Sequence, residues 1–358
     1  MSRKPISPRG RGALSLPDNR YEKEIREIIP EAEGQVLYPN DTIIRPDSAC
    51  SVLCENDSPD VGFSRSLNPY RGCEHGCIYC FARPTHAYLG LSPGLDFERQ
   101  IFFKKDAALL LEKELGRKTY RCEPIALGIN TDSYQPAEEG LKITRSVLEV
   151  MDRVRHPLTI VTKSALIERD LDLLTSLAAN RCVQVFISLP TLDDDLSGKL
   201  EPRATRPLRR LETIRKLSES GIPVGILVAP VIPGLTDHEL EGILERSRRS
   251  GALSAGYILL RLPLEVRELF LEWLSHHYPD SAKKVENRLR AFHRGALYDS
   301  DFGTRMRGSG PLADLLSKRF EVATRRLGYG PMPELDSSVF SPPLPPPRRS
   351  RLFPDFTP

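Results

Sequence analysis

The chain has 358 residues, of which 40% are hydrophobic and 28% are charged, and its formal net charge is +3 at pH 7. These values are ordinary for a globular protein with a substantial core, and the small charge neither demands nor excludes a nucleic-acid partner. No apolar run approaches the length of a membrane span, and the N-terminus has no apolar signal segment. We therefore expect a cytoplasmic protein that has no membrane partner.

The first part of the chain lacks periodic segments. Residues 1–20 are rich in Gly, Pro, Arg and Ser and predict a disordered basic arm. Residues 21–62 contain short apolar pieces, and we expect them to form an irregular N-terminal lead-in packed against the main domain.

The segment 63–278 alternates between apolar runs and helical spacing. It predicts six β–α units, which indicate a parallel sheet with helices outside it. Six units in this length fit a partial (β/α)6 barrel of the α/β class better than a flat, doubly wound sheet. In either fold, ligands collect at the C-terminal ends of the strands. The predicted strands lie near 63–70 and at 125–130, 158–162, 183–189, 222–228 and 253–260, and the predicted helices at 106–115, 141–153, 165–178, 207–220, 237–249 and 263–275.

The pattern changes after the barrel. Residues 279–335 form a C-terminal extension that is rich in Gly and Arg, with Tyr298 and Phe302 between them and a predicted helix at 312–327. Two interpretations remain open: a basic, substrate-facing lid, or a structural cover for the open side of the barrel. Residues 336–358 are Pro-rich and predict a disordered or polyproline-like tail, with a docking peptide as the alternative.

Three cysteines, Cys73, Cys77 and Cys80, lie within eight residues directly after the first predicted strand. Their spacing suits one loop around a 4Fe–4S cluster in which three thiolates bind three irons and leave the fourth free. A fourth protein ligand would instead make an electron carrier. A zinc-binding interaction protein, with His75 as the fourth ligand, is a further alternative. The other four cysteines are scattered, which argues against a disulfide framework.

The cysteines together with Tyr79 form C-x-x-x-C-x-aromatic-C, which resembles the signature of radical S-adenosylmethionine (radical SAM) enzymes. The stretches beginning at Asn68 (Asn-Pro-Tyr-Arg-Gly-Cys) and at Glu201 (Glu-Pro-Arg) resemble the spore photoproduct lyase family. The resemblance implies an enzyme with a 4Fe–4S cluster and S-adenosylmethionine as cofactors, and an electron donor of the flavodoxin or ferredoxin type. A 5′-deoxyadenosyl radical would abstract a hydrogen atom from a substrate that is nucleic-acid related or otherwise bulky.

The resemblance also implies roles for individual residues. Tyr79 would pack beside the adenine or only wall the cluster, and Ser188, at the end of the fourth strand, would contact the ribose. Arg203 would pair with the methionine carboxylate or form a structural salt bridge. The methionine amine would be held after the second strand, where Asp132 is a suitable carboxylate and, alternatively, the N-cap of the next helix. The residues implied for this amine are Asn130, Thr131 and Asp132.

The sequence departs from the lyase pattern at two positions. Asn130 stands where the lyase carries the cysteine that returns a hydrogen atom, and Phe81 stands where it carries a second tyrosine. Cys122 precedes the second strand and would lie at the wrong end of the barrel. We therefore expect a different substrate radical, and the sequence assigns no catalytic residue.

Overall fold

The structure is a computed structural model that describes residues 10–21 and 41–343. These residues form ten strands, eleven α-helices and three short 3-10 helices. The strands are β1 (Ile43–Pro46), β2 (Leu53–Glu55), β3 (Arg65–Leu67), β4 (Tyr70–Arg71), β5 (Gln100–Phe103), β6 (Ile125–Leu127), β7 (Leu158–Thr162), β8 (Val183–Ser188), β9 (Val224–Val231) and β10 (Ser254–Leu259). The α-helices are α1 (Leu95–Arg99), α2 (Ala107–Leu115), α3 (Glu138–Leu141), α4 (Ile143–Val154), α5 (Leu171–Ala179), α6 (Asp194–Leu200), α7 (Pro207–Glu219), α8 (Leu240–Arg249), α9 (Val266–His277), α10 (Pro279–Phe292) and α11 (Pro311–Arg326), and the 3-10 helices are Arg83–Leu89, Ala165–Asp170 and Asp237–Glu239.

The main sheet has the strand order β10-β9-β8-β7-β6-β3-β2. Its first six members run parallel to their neighbours, and β2 pairs antiparallel to β3 at one edge. The order follows the chain, and the sheet is not closed because β10 and β2 do not pair. The predicted α/β class and partial six-unit barrel are thus confirmed. A smaller sheet of order β1-β5-β4 holds the chain just before the cysteines.

The core lies between the sheet and the outer helices. Ile160, Val185 and Ile226 on neighbouring strands are fully buried, as expected for parallel strands covered on both faces. The α4 helix buries Val147 and Met151 on the face that its spacing predicts. Two predicted helices begin later as α-helices than expected, because α5 and α8 are each preceded by a 3-10 turn.

The strand predicted at 125–130 ends early, at Leu127. Gly128 follows in the left-handed region with a φ of +78°, where a Cβ would lie 2.8 Å from Ser133 Oγ and 3.1 Å from the Val161 carbonyl oxygen. Only glycine fits this turn without strain. The chain beyond it therefore leaves the sheet and forms a loop at the C-terminal ends of the strands, here called the mouth of the barrel.

The prediction of a disordered arm is wrong for residues 10–20, and residues 1–9 lie outside the described residues. Ala13 and Leu14 are buried, and Asn19 Nδ2 donates to the Ala87 carbonyl at 2.9 Å. The segment is ordered because the barrel satisfies its polar groups and covers its few apolar side chains, which composition does not reveal. In the lead-in, residues 22–40 are not described, while residues 41–62 contain β1 and β2.

The prediction of disorder in the tail is likewise wrong for residues 336–343. The Phe340 ring lies 5.2 Å from the His156 ring and 5.8 Å from the Tyr120 ring, centroid to centroid. The Ser341 amide donates to the Val154 carbonyl at 2.9 Å. These residues cover the N-terminal ends of the strands, here called the base of the barrel. Residues 344–358, which hold most of the Pro-rich run, are outside the described part.

The C-terminal extension lies against the free edge of the sheet. The Leu259 amide of β10 donates to the Met306 carbonyl at 2.8 Å, and Phe320 of the predicted helix packs on Tyr257. These contacts favour the structural-cover interpretation for this part of the extension. The sequence did not predict α10. Among the helices that the structure describes, none is long and apolar enough to cross a membrane.

Candidate active site

The three cysteines lie on a loop, residues 72–80, which follows β4 at the mouth of the barrel. Gly72 and Gly76 adopt φ values of +78° and +68°, and they turn the chain sharply on either side of Cys73. The Cys80 amide donates to the Cys77 carbonyl at 3.2 Å, and the Cys73 amide donates to the Phe97 carbonyl at 2.9 Å. The backbone thus fixes the position of each thiol.

The thiols of the loop are unpaired, and those of Cys73 and Cys77 are buried. Burial, with Glu201 nearby, raises the pKa of Cys77 well above its ordinary value, although Lys163 opposes this shift. Burial likewise raises the pKa of Cys80. The metal-free thiols of Cys77 and Cys80 are therefore protonated near neutral pH, and metal binding would release their protons.

The donor set fits an iron–sulfur cluster better than a single ion. Within residues 10–21 and 41–343, no three His, Cys, Asp or Glu side chains converge on one metal position. In a 4Fe–4S cube each thiolate binds a different iron, so the sulfurs need not converge. Structural zinc requires four converging ligands, and this geometry does not support that alternative.

Tyr79 is tied to a buried ion pair beneath the loop. Its hydroxyl donates to the Glu201 carboxylate, which also accepts from the Arg210 guanidinium. Burial, and then the Glu201 charge, raise the pKa of Tyr79 well above its ordinary value, so the phenol stays protonated. Arg210 Nη1 also donates to the Ser188 carbonyl at 2.8 Å. This network connects the cysteine loop to the end of β8.

His75 lies within the loop and pairs with Asp132. Its Nδ1 is 3.3 Å from Asp132 Oδ2. Burial opposes the charge of His75, but the Asp132 carboxylate outweighs burial and raises the pKa of His75 to about 10. The same carboxylate accepts from the Thr162 hydroxyl at 2.7 Å and from the Lys163 amide at 2.8 Å. Asp132 also accepts from the Tyr134 amide at 2.9 Å, which is a local turn bond rather than an N-cap of α3.

The residues beside Asp132 hold the chain that leads into the cysteine loop. Asn130 donates its amide to Asn68 Oδ1 at 2.9 Å and has an exposed side chain. The Thr131 hydroxyl donates to the Tyr70 carbonyl at 2.8 Å. The structure thus places Asn130, Thr131 and Asp132 at the mouth and gives each one a hydrogen bond within the protein.

Ser188 and Arg203 also reach the mouth. The Ser188 hydroxyl donates to the Ala229 carbonyl at 3.0 Å. Arg203 Nη1 lies 2.8 Å from Glu74 Oε1, so its salt bridge is with the cysteine loop itself rather than with a helix. Arg203 and Glu74 line a groove of about 540 Å³ beside the loop, together with Ile44, Pro136, Ala137, Glu139, Gly140 and Leu141.

A comparison with known families decides the assignment of this site. The family model described as the radical SAM superfamily matches residues 67–246, half of the chain, including the cysteine loop and β6 to β9. The chain belongs to the radical SAM superfamily. A relative from Mycobacterium tuberculosis is 36% identical over 255 residues, covering 69% of this chain and 74% of its own length. A relative from Methanocaldococcus jannaschii is 27% identical over 240 residues, covering 67% and 85%. Both relatives are described as uncharacterised.

Solved structures show the same fold. Spore photoproduct lyase complexed with dinucleoside spore photoproduct gives a TM-score of 0.56 at 15% identity, covering 86% of each chain. A variant of that lyase with bound AdoMet (S-adenosylmethionine) and the same dinucleoside gives 0.51 at 16% identity, covering 85% of this chain and 84% of its own. At this level of identity, the likeness concerns the fold alone.

Sequence reasoning missed one cation in this radical SAM site. Lys163 directly follows β7, and no residue that the structure describes accepts a hydrogen bond from its ammonium group. Burial opposes its charge, but Cys77, Glu201 and Asp132 outweigh burial and raise the pKa of Lys163. Its position immediately after a predicted parallel strand was the signal that could have identified it.

Phe81 follows the last cysteine and is 39% exposed. The Arg261 guanidinium lies over its ring at 5.2 Å from the centroid. Two further pairs of this kind involve arginines of the C-terminal extension, with Arg307 over Tyr257 at 4.1 Å and Arg305 over Phe302 at 4.4 Å. Tyr257 is buried, whereas Phe302, like Phe81, is exposed.

Proposed function

We propose that this chain is a radical SAM enzyme that binds a 4Fe–4S cluster through Cys73, Cys77 and Cys80. The observation that carries the proposal is the set of three unpaired thiols on one backbone-fixed loop at the mouth of a six-unit barrel. In this superfamily, the cluster and S-adenosylmethionine together supply reductive cleavage of the cofactor and hydrogen-atom abstraction from a substrate.

The charged groups around the loop suit the methionine part of S-adenosylmethionine. The Lys163 ammonium lacks a partner among the described residues and would bind the carboxylate. Asp132 would accept a hydrogen bond from the methionine amine in place of one of the hydrogen bonds that it accepts within the protein. Arg203 is half-exposed beside the groove and is a second cation for the carboxylate. Tyr79 and Ser188 would lie beside the adenosine, with Asn130 and Thr131 supplying backbone next to Asp132.

The substrate that we propose is nucleic-acid related. Arginine–aromatic pairs give flat surfaces on which bases stack and positive charge for phosphates, and Phe81 with Arg261 is adjacent to a cluster ligand. The lyase complexed with a dinucleoside photoproduct shares the fold. Asn130 and Phe81 stand where the lyase family has a thiol and a phenol, so we propose hydrogen-atom abstraction without the lyase's own hydrogen return.

The electron donor that we propose is a flavodoxin or ferredoxin, because reductive cleavage of S-adenosylmethionine requires one electron to be delivered to the cluster. All seven cysteines are free thiols. Such usage is typical of a reducing compartment, and we propose the cytoplasm as the site of action.

Anaerobic reconstitution tests the cluster. The wild-type protein should become brown and contain about four iron and four sulfide per chain. Dithionite and S-adenosylmethionine should then release 5′-deoxyadenosine. A protein that binds zinc but no iron, or that holds a cluster without cleaving the cofactor, would refute the proposal.

Binding of single-stranded DNA, measured by fluorescence anisotropy at several salt concentrations, tests the substrate class. We expect affinity to fall as salt rises, because arginines displace counterions from phosphates. Arg261→Ala should weaken binding more than Arg249→Ala, which removes an exposed arginine paired with Glu245 on α8. Equal affinities for the two variants would contradict a role for the Phe81–Arg261 surface.

A further inference from the structure

The described N-terminal segment, residues 10–21, is here called the strap, and it lies directly against the cysteine loop. Two successive strap amides, of Gly12 and Ala13, donate to Glu98 Oε2 and Oε1 at 2.9 and 2.8 Å. Further along, the Ser15 carbonyl accepts from the Leu95 amide at 3.2 Å. One buried carboxylate thus binds the strap at the point nearest the loop.

The contact between strap and loop is a backbone contact. A Cβ built on Gly12 would lie 1.9 Å from the Gly76 carbonyl oxygen, far closer than any side chain can approach. The Gly76 oxygen belongs to the backbone, so it cannot move aside as a flexible side chain could. Ala13 is fully buried and packs in the same apolar cluster as Cys77 and Ile78. The strap therefore covers the Gly76–Cys77 peptide, which lies between the first cysteine and the second.

Glu98 also pairs with Arg83, and both side chains are fully buried. Arg83 donates from Nε to the Cys77 carbonyl at 2.9 Å and from Nη2 to the Gly76 carbonyl at 3.2 Å. A buried ion pair holds its geometry only when its remaining donors and acceptors are satisfied. Here the two strap amides satisfy the carboxylate, and the guanidinium is satisfied by the loop carbonyls together with those of Pro93 and Gly94.

We infer that the strap, Glu98 and Arg83 form a clasp that sets the geometry of the cysteine loop and shields its cluster from oxygen and water. The order of contacts is strap amides, Glu98, Arg83, then the carbonyls of Gly76 and Cys77. Opening the strap leaves Glu98 without two donors and exposes the loop backbone. Solvent exposure and hydrogen bonding are among the factors that tune iron–sulfur clusters. Gly12, Glu98 and Arg83 are positioning residues, and the inference rests on the proposed cluster.

The first test uses the metal-free, full-length protein and does not depend on the cluster. Hydrogen exchange followed by mass spectrometry should show protection in peptides covering residues 10–16 and 76–83. In Gly12→Val, exchange of both peptides should accelerate at least about tenfold, the factor expected from losing one hydrogen bond to a charged group. Random-coil exchange of residues 10–16 in the wild type, or unchanged exchange of residues 76–83 in the variant, would overturn the clasp.

The second test follows the reconstituted cluster in air through the loss of its visible absorbance. The bleaching rate constant should rise at least about tenfold in Gly12→Val, in step with opening of the strap. Glu98→Gln, which keeps the shape but removes the charge, should bleach faster than wild type and shift the midpoint potential of the cluster. Bleaching and potential equal to wild type in both variants would overturn the inference.

Two matched variants separate the clasp from general effects. Gly62→Ala adds the same kind of Cβ where no atom lies within 4 Å, and Arg20→Ala removes the exposed ion pair between the strap and Glu265. Both should bleach at the wild-type rate, and faster bleaching in Gly62→Ala would overturn the assignment to Gly12. If the wild-type protein takes up no iron, the proposed function is wrong. If it takes up iron but Gly12→Val and Glu98→Gln are stable and bleach at the wild-type rate, only the clasp is wrong.

Discussion

His75 at the mouth of the barrel and His156 at its base are both buried, and their pKa values shift in opposite directions. Burial disfavours the charge of both rings. At the mouth, the Asp132 carboxylate outweighs burial and raises the pKa of His75 to about 10. At the base, His156 contacts the neutral groups of Tyr120 and Pro157, and burial lowers its pKa to about 4.

This difference extends to the surroundings of each histidine. The mouth buries ion pairs, including Glu98 with Arg83 and Glu201 with Arg210. The base buries rings and aliphatic side chains beneath residues 336–343. Buried ion pairs add little net stability compared with apolar packing. Their concentration at the mouth therefore indicates that residues there serve chemistry, whereas residues at the base serve stability. The following predictions test this division from the largest expected effect to the smallest.

Cys77→Ala should abolish both the cluster and the release of 5′-deoxyadenosine, because one iron loses its thiolate. Iron analysis and product chromatography measure the two effects. The control is Cys182→Ala, which removes a buried thiol at the base and should retain iron and cleavage. Cleavage by the Cys77 variant would show that the ligand assignment is wrong.

Glu201→Gln should destabilise the metal-free protein by about 3–5 kcal/mol, because it leaves the Arg210 guanidinium buried without its counter-charge. Urea denaturation measures the change. The double variant Glu201→Leu with Arg210→Met should recover much of that stability, yet it should not recover cofactor cleavage, since Tyr79 has lost its acceptor. Full recovery of both stability and cofactor cleavage would contradict the proposed division between the mouth and the base.

Phe340→Ala should lower the free energy of unfolding by about 2 kcal/mol, below the usual cost in a full core because the ring is only partly buried. The change removes the packing on Tyr120 and His156 but touches no group at the mouth. Iron content per folded chain should therefore stay at the wild-type value, and a loss of iron would contradict the separation of the two ends.

Asp132→Asn should weaken S-adenosylmethionine binding about tenfold, the effect of removing one charge-assisted hydrogen bond. Equilibrium dialysis with the reconstituted protein measures the affinity. Asp336→Asn, which removes a carboxylate at the base, serves as the control. If iron content falls instead of affinity, Asp132 acts through His75 on the cysteine loop rather than on the cofactor.

The smallest effect concerns pH. The pKa of His156 is about 4 in the folded protein and about 6.5 in the unfolded chain. The unfolded state therefore binds more protons between these values, and stability falls as pH decreases through this window. For this residue the loss is about 1 kcal/mol between pH 6.5 and 5.5. His156→Gln should flatten the pH dependence of urea denaturation, and an unchanged slope would contradict the assignment.

The sequence alone determined the order of the six β–α units and the spacing of the three cysteines. Both are local properties: apolar periodicity along consecutive residues predicts each strand or helix, and ligands within eight residues need only one loop. It also brought Asp132 and Ser188 to the mouth, because residues that follow parallel strands share one edge of the sheet.

Only the tertiary structure decided which side chains meet across that edge. Glu201 binds Tyr79, Glu98 binds Gly12, and the pairing of each depends on how distant segments pack and not on local spacing. The same reason explains the errors at both termini. Composition predicts disorder from the residues of a segment, whereas order in residues 10–20 and 336–343 comes from the surface of the barrel that covers them.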